Sequence, residues 1–493
     1  MTVSSSESPP AGPQAASRKD SRKKSRRQQG GGGRVVPAPR EGDPLRRAIL
    51  RAYMAVEGGA DLAQTPPPAL RGEAERRRFT RWLRGMVRHR RRLRAELAHL
   101  ARGGLDGVQP RVAALALLGL YALRFEETPP HAVLYETVAL APGEGVGRAK
   151  GWINGVLRAA TRLDLPAFEA GLSLGEATSH PDWMIGRWER QYGAARTAEI
   201  CRANNQYGGS TLRVETRRIT PAALCERLAA EGIEAEIHPL WPTALRVENL
   251  GPLLRSPSFS EGLCYVQDLS SQVACAWLAP ALGGRLLEPC AAPGGKLTWL
   301  RGRAGEGTPA AWQAGADLDG RRLARVRENL RRLRLPETAL LQADGRRLPF
   351  ADGGPGRGWD AVLLDAPCSA TGMIRKYPEM KWRKQPEQLS PLVEMQAALL
   401  DESLRVLRPG GHLAYITCSL EGEENGGQVA ALLERQPTLR QVSLDTLPLP
   451  EGAHPSLREA LTADGAMLLF PGKGHMGLYA ALLRKHPGAD PAA

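Results

Sequence analysis

Between residues 285 and 417 the chain alternates short apolar runs with longer stretches of helical periodicity. The runs at 285–288, 313–317, 339–342, 359–364 and 411–417 read as strands buried on both faces. Helical patterns occupy 267–279, 294–303, 319–333, 391–407 and 425–435. Strands separated by helices of this length predict an α/β fold, a parallel sheet covered on both sides, over residues 261–485. In such a sheet the reactive residues belong at the C-terminal ends of the strands.

Upstream, residues 44–172 read as helices throughout, including 111–124, 130–140 and 148–160, with Pro-rich joints at 66–68 and 129–130. Phe79, Trp82, Leu83, Met86, Val87, Leu93, Leu97 and Leu100 fall on one helical stripe. Residues 180–260 change character. Runs at 210–214, 221–231, 233–238 and 244–248 read as strand, helix, strand and strand, a small α+β unit. Residues 1–42 hold almost no core material and, like 486–493, are expected to be disordered tails.

Charge adds a partner to this picture. The 493 residues carry a formal net charge of +15, which suits a polyanion. Residues 1–40 contribute nine Lys/Arg against Glu7 and Asp20, either a solubilising tail or an RNA-tethering arm. Residues 71–94 contain eleven Arg against Glu73 and Glu75. One-signed charge forgoes the i,i+4 pairs of a solvated helix face, so this helix is expected to face RNA. The longest apolar run, 112–123, has 12 residues, short of the roughly 18 that a membrane span needs. No apolar signal segment opens the chain, and the seven cysteines are scattered without a CxxC pair. A reduced, cytoplasmic protein with neither disulfide framework nor metal site is expected.

Four segments at the expected strand ends carry chemistry. Glu288-Pro289-Cys290-Ala291-Ala292-Pro293-Gly294-Gly295-Lys296 runs from a strand through small residues into a helix, where backbone can approach a ligand closely. Asp317 ends the next strand 23 positions after Gly294, the spacing of an acid that binds ribose hydroxyls, while Asp319 reads as a helix cap. Asp344 ends the third strand, a turn residue or an acceptor for an adenine amine. Asp365-Ala366-Pro367-Cys368-Ser369 and Thr417-Cys418-Ser419-Leu420, followed by Glu423-Glu424-Asn425, put a carboxylate and two thiols at two further strand tips. A lone Cys there would read as core. Two beside an Asp do not.

Cys-Ala-Ala-Pro-Gly-Gly-Lys, Leu-Asp-Ala-Pro-Cys-Ser-Ala-Thr-Gly and Ile-Thr-Cys-Ser closely resemble the Sun/Fmu family of RNA cytosine-C5 methyltransferases. So do Arg375 to Trp382, Val266 to Gln272 and, around Ile153 to Arg158, the family's NusB-like RNA-binding domain. The nearest likeness is to the small-subunit ribosomal RNA methyltransferase B group. The resemblance implies a Rossmann-like S-adenosylmethionine-dependent sheet, preceded by an all-α NusB-like domain and a small α+β subdomain. It implies a cofactor pocket lined by Cys290, Ala291, Ala292, Pro293, Gly294, Gly295 and Lys296, with Asp317 on the ribose and Asp344 on the adenine side. Asp365 would meet the cofactor edge and the target base, Cys418 would be the nucleophile, and Cys368 would assist release. Glu288-Pro289 stands where Asp-Leu is usual, and residues 474–479 are a weak version of the family's Asp-Gly-Phe-Phe-like strand.

Two thiols suit this chemistry. Cytosine C5 becomes nucleophilic only after a thiolate adds at C6, which calls for Cys418 in an electropositive, base-accessible pocket. The base must be unstacked to reach it. The expected protein is a monomer that binds RNA, most simply 16S ribosomal RNA. The alternatives are a transfer-RNA methyltransferase and a non-catalytic ribosome-assembly factor. A Cys hydrolase would need a general-base His, and only His412 lies near, at the start of the last strand.

Overall fold

The computed structural model describes residues 42–487 apart from 63, 64, 66–69, 71, 304–311, 355, 356 and 473. The tails expected at the two ends lie outside the described residues except Gly42, His486 and Pro487. From Gly42 onward the chain packs as one compact unit.

Six helices form the first layer: α1 (Pro44–Glu57), α2 (Gly72–Arg88), α3 (Arg90–Leu100), α4 (Pro110–Phe125), α5 (Pro130–Gly143) and α6 (Lys150–Ala160). Pro110 and Pro130 open α4 and α5 at their first turns, where the missing N–H leaves no bond unmade. α4 is buried nearly all round, from Val112 to Ala122, and the other helices pack about it. The stripe from Phe79 to Leu100 is carried by two helices, not one. The chain breaks at His89, whose ring stacks on Phe125 with centroids 4.2 Å apart.

Strands β1 (Ser210–Val214), β2 (Ala235–His238), β3 (Trp241–Val247) and β4 (Cys264–Val266) make a small antiparallel sheet in the order β2-β3-β1-β4. β4 comes from the stretch expected to open the large sheet. Ahead of it runs a helix that the apolar pattern did not announce, Asp182–Asn205, kinked at Gly193 (φ 77°).

The large sheet contains β5 (Arg285–Glu288), β6 (Trp312–Asp317), β7 (Ala339–Gln342), β8 (Trp359–Asp365), β9 (Leu407–Thr417), β10 (Leu439–Val442), β11 (Met467–Leu469) and β12 (Leu478–Lys485). Its order is β10-β12-β9-β8-β5-β6-β7, with β11 on β12. β5 to β9 are parallel, as the alternation predicts. β12 runs antiparallel to β9, and β10 and β11 each pair antiparallel with β12, so the sheet is mixed and not wholly parallel. The segment read as a weak strand at 474–479 leads into β12, which hydrogen-bonds along β9 from Tyr479 to Arg484. Side chains alternate between two cores. Leu363, Ala414, Ile416, Ala480 and Leu482 face the helices Leu269–Leu278 and Gly295–Gly302. Val362, Leu364, Leu413, Tyr415 and Leu483 face Leu389–Val406 and Gly426–Arg435.

Candidate active site

The C-terminal tips of β5, β6, β8 and β9 lie side by side, and each delivers part of one site. After β5, the turn from Pro289 to Gly294 lies flat against β6. A Cβ on Gly315 would meet the Ala291 Cβ at 2.9 Å, so the loop approaches this closely only because β6 carries glycine there. Gly294 takes a left-handed conformation (φ 97°) and starts the helix Gly295–Gly302. The Ala291 N–H donates to the Ala316 carbonyl at 2.8 Å, and the Ala292 N–H donates to Asp317 Oδ2 at 3.1 Å. Asp317 is buried, accepts also from the Asp319 N–H at 3.1 Å, and lies 3.5 Å from Arg322. Asp319 caps the helix Gly320–Arg332, as its position suggested.

This loop fits a small cationic nucleoside. The turn is built of small residues packed closely on β6, and the carboxylates of Glu288, Asp317 and Asp365, from three strands, all act on Cys290 within it. Glu288 is fully buried with Oε2 unpartnered among the described residues. Burial, then the nearby Asp365, push its carboxyl well above the ordinary glutamate value. The same burial, with Asp365, Asp317 and Glu288, raises the Cys290 thiol to about 12. Cys290 therefore stays a thiol and does not compete as a nucleophile.

Asp365 ends β8 and pairs with Lys296 from the helix that follows the glycines. Sequence reasoning looked for Asp365's partner in a bound base and missed this lysine. Burial alone would lower the Lys296 ammonium; Asp365 outweighs it and the net shift is upward. Asp344 sits apart. Its carboxylate grips Arg346, with Nη2 at 2.7 Å and Nε at 3.0 Å, and those bonds hold its pKa at about 2.

The thiols meet. Cys368 Sγ and Cys418 Sγ are 3.3 Å apart, at the ends of adjacent strands. The hydrogen bond shared with Cys418, then burial, keep Cys368 well above the ordinary thiol value. Gly372 N–H donates to the Cys418 carbonyl at 3.0 Å and Leu420 N–H to Thr371 Oγ1 at 2.9 Å, so the two loops are laced together.

Other side chains brace the site without having been legible in the motifs. Arg213 on β1 is buried and donates to the Gly295 carbonyl at 2.9 Å, to Gln267 Oε1 at 3.0 Å and to Thr298 Oγ1 at 3.1 Å. It thereby ties the small sheet to the glycine loop. Burial lowers its pKa to about 10, which still leaves it charged. Trp188 Nε1 donates to Glu421 Oε1 at 3.1 Å, Arg187 to Glu421 Oε2 at 2.9 Å, and Tyr192 to the Leu420 carbonyl at 2.6 Å. All three come from the unannounced helix Asp182–Asn205.

Beside the site runs a cleft of about 1020 Å³. Arg76, Arg77, Arg78, Arg81, Arg84 and Arg88 of α2 form one wall; Tyr207, Arg255, Arg375, Lys376 and Tyr377 stand among the residues of the other. The Arg run divides here. Arg90 and Arg94 of α3 pair with Glu57, Arg91 with Asp182, and Arg92 with Glu96 and Glu169. Apart from Glu96, one turn along α3 from Arg92, the acids that these four reach lie far from them along the chain. Among the described residues no helix is long and apolar enough to cross a membrane, and no group of acids, Cys and His is arranged to hold a metal ion.

Residues 275–484 match the family described as 16S rRNA methyltransferase RsmB/F, residues 180–253 its ferredoxin-like domain, and residues 45–162 the NusB family. The ribosomal RNA small subunit methyltransferase B of Salmonella arizonae is 36% identical over 385 residues, covering 78% of this chain and 88% of the relative. That of Salmonella typhi is 36% identical over 386 residues, with the same coverage. Among solved structures, PH0851 superposes with a TM-score of 0.67 at 22% identity, covering 90% of this chain and 99% of its own. A methyltransferase homolog protein from Pyrococcus horikoshii gives 0.50 at 25% identity, covering 63% and 97%. With this likeness along most of its length, and a glycine-rich turn and a thiol pair at the strand tips, the chain belongs to the 16S rRNA methyltransferase RsmB/F family of S-adenosylmethionine-dependent enzymes.

Proposed function

We propose that this protein transfers a methyl group from S-adenosylmethionine to C5 of a cytosine in small-subunit (16S) ribosomal RNA, through a covalent bond from Cys418 to C6 of the base. The 3.3 Å approach of the two thiols, beside a carboxylate and a glycine-lined loop, is the observation that carries this reading. A single nucleophile would need one thiol. A reaction that must add to a base and afterwards remove its C5 proton uses two groups at one place.

The cofactor, when bound along Cys290, Ala291, Ala292, Pro293, Gly294, Gly295 and Lys296, with Asp317 at its ribose, supplies an electrophilic methyl group. Asp365, oriented by Lys296, faces the exocyclic amine and N3 of the base and supports protonation at N3 as the thiolate adds. Cys368, held as a thiol, shares a hydrogen bond with Cys418 across 3.3 Å. Once C5 carries the methyl group, its proton leaves to a water held beside Cys368, whose own sulfur stays a thiol, and the proton taken up at N3 returns to Asp365 as the product forms. The electron pair of that C–H bond re-forms the C5–C6 double bond and expels the Cys418 thiolate. Asp344, occupied by Arg346, reaches an adenine amine only by sharing its acceptor oxygens.

The arginine-lined cleft is the proposed RNA track. Tyr377 lines this cleft, and burial raises its phenol. Tyr207, 58% exposed beside Arg88, offers a stacking surface for an unpaired base. The protein is proposed to act as a cytoplasmic monomer. The test is incubation of purified protein and labelled S-adenosylmethionine with unmodified 16S rRNA and, separately, transfer RNA. Mass spectrometry of nuclease digests should find 5-methylcytidine in the ribosomal RNA. Label confined to transfer RNA, or to another base atom, would overturn the assignment.

A further inference from the structure

Glu424, six residues beyond the proposed nucleophile, lies buried beneath both cysteine loops. Its Oε1 accepts from the Ser369 backbone N–H at 2.8 Å and from Gln396 Nε2 at 3.0 Å. Its Oε2 accepts from the hydroxyls of Ser369 and Ser419, which are 2.9 Å from each other. Ser369 directly follows Cys368, and Ser419 directly follows Cys418.

No ion pair to Glu424 forms among the described residues, so hydrogen bonds alone offset its desolvation. For stability alone, an apolar side chain of similar volume serves as well as a buried charge. What the carboxylate adds is geometry. Each loop hands it a serine, and neither loop can shift against the other without stripping an acceptor in a dry interior. Tyr415, on β9 itself, donates to the Glu424 carbonyl at 2.6 Å, and Asn425 Nδ2 donates to the Ser419 carbonyl at 3.0 Å. The clamp is thus anchored to the strand that carries Cys418.

We propose that Glu424 is a positioning residue that holds Cys368 and Cys418 in register through the two serines, before RNA arrives. This rests on the reading of the two thiols as nucleophile and release group. Glu424 touches neither substrate nor cofactor. It acts on the rate with a base already bound, because a displacement of about 1 Å at a reacting pair costs on the order of 100-fold.

The experiment compares wild type, Glu424→Gln, Glu424→Ala and the double variant Ser369→Ala/Ser419→Ala in two assays. One measures kcat and KM for methyl transfer to 16S rRNA. The other measures phenylarsine oxide binding to the thiol pair without RNA or cofactor, with Cys368→Ala as the blank. Glu424→Ala and the double serine variant should lose about 100-fold in kcat and at least about tenfold in arsenical affinity, with KM within about twofold. Glu424→Gln should recover most of both, since its carbonyl still accepts and the serine hydroxyls can turn to accept from its amide. Wild-type kcat and arsenical affinity in Glu424→Ala would overturn the clamp, as would Glu424→Gln failing as badly as Ala. Should Glu424→Ala not fold, the double serine variant decides by the same criteria. Arsenical capture that follows the expected order in a protein that methylates no RNA would sink the proposed function and leave the clamp standing.

Discussion

Asp365 on β8 is paired in register with Ile416 on β9, and this alignment of two parallel strands is what brings Cys368 and Cys418 to 3.3 Å although 50 residues separate them. Each thiol lies two or three residues past the paired position, in the stretch where the strands end and the backbone turns over the sheet. The thiols thereby reach the same edge as the glycine loop and the Lys296–Asp365 pair.

Loss of the proposed nucleophile should abolish turnover and leave recognition intact. Cys418→Ala is expected to lower methyl transfer by more than about 10³-fold while RNA affinity, read by filter binding, stays within about twofold. Turnover near the wild-type rate would exclude a bond through this sulfur.

The partner thiol should show a different defect. Cys368→Ala leaves Cys418 able to add but slows removal of the C5 proton, so a protein–RNA adduct should build up and survive a denaturing gel. An adduct-free lane, with methylation proceeding normally, would remove Cys368 from the release step.

The Lys296–Asp365 pair couples the proposed cofactor loop to the proposed base-binding tip. Lys296→Met strands the carboxylate beside Glu288 at a largely buried edge, a loss of about 3 kcal/mol for a fully buried pair and less here, where Asp365 is 34% exposed. A lower melting temperature and weaker S-adenosylmethionine binding by calorimetry are expected together. Unchanged cofactor affinity would separate Lys296 from the cofactor pocket.

Glu288 gives the fold a pH dependence of known sign. Its carboxyl is raised above the ordinary value of 4.5, so the folded state holds a proton that the unfolded state releases. Stability from this group is complete below 4.5 and is lost as pH climbs toward the raised folded value. Melting temperature followed upward from pH 4.5 should fall less steeply in Glu288→Gln than in wild type. Parallel curves would mean that Glu288 is not protonated in the fold.

The two halves of the Arg run should behave differently toward RNA. Arg84→Ala removes a cleft cation, weakening binding and flattening its salt dependence by about 0.7–0.9 in log–log slope if one phosphate contact is lost. Arg91→Ala, whose guanidinium is 2.8 Å from Asp182, should leave the slope unchanged. Equal slopes for both variants would place the RNA elsewhere.

The five parallel strands, their covering helices and the placing of cysteines, acids and glycines at their tips were legible because each is written locally, as an apolar run, a periodicity or a short motif. What sequence could not show is whatever depends on residues distant along the chain. Nothing near Asp365 announces Lys296, and nothing near Arg91 announces Asp182. β12 pairs with β9 antiparallel through a run of alanines and leucines whose direction no local pattern encodes. The kinked helix Asp182–Asn205 mixes charged and apolar positions around a glycine, so its burial against Ile374 and Leu420 is a tertiary matter.

The residue types at the reactive edge were thus determined by the sequence alone, since a nucleophile, an acid and a glycine turn are recognisable wherever they stand. Which groups face one another was decided by strand order and register. Hydrogen bonds and ion pairs act over a few ångströms, and only the folded chain brings Cys368 to Cys418, Lys296 to Asp365 and two serines to Glu424.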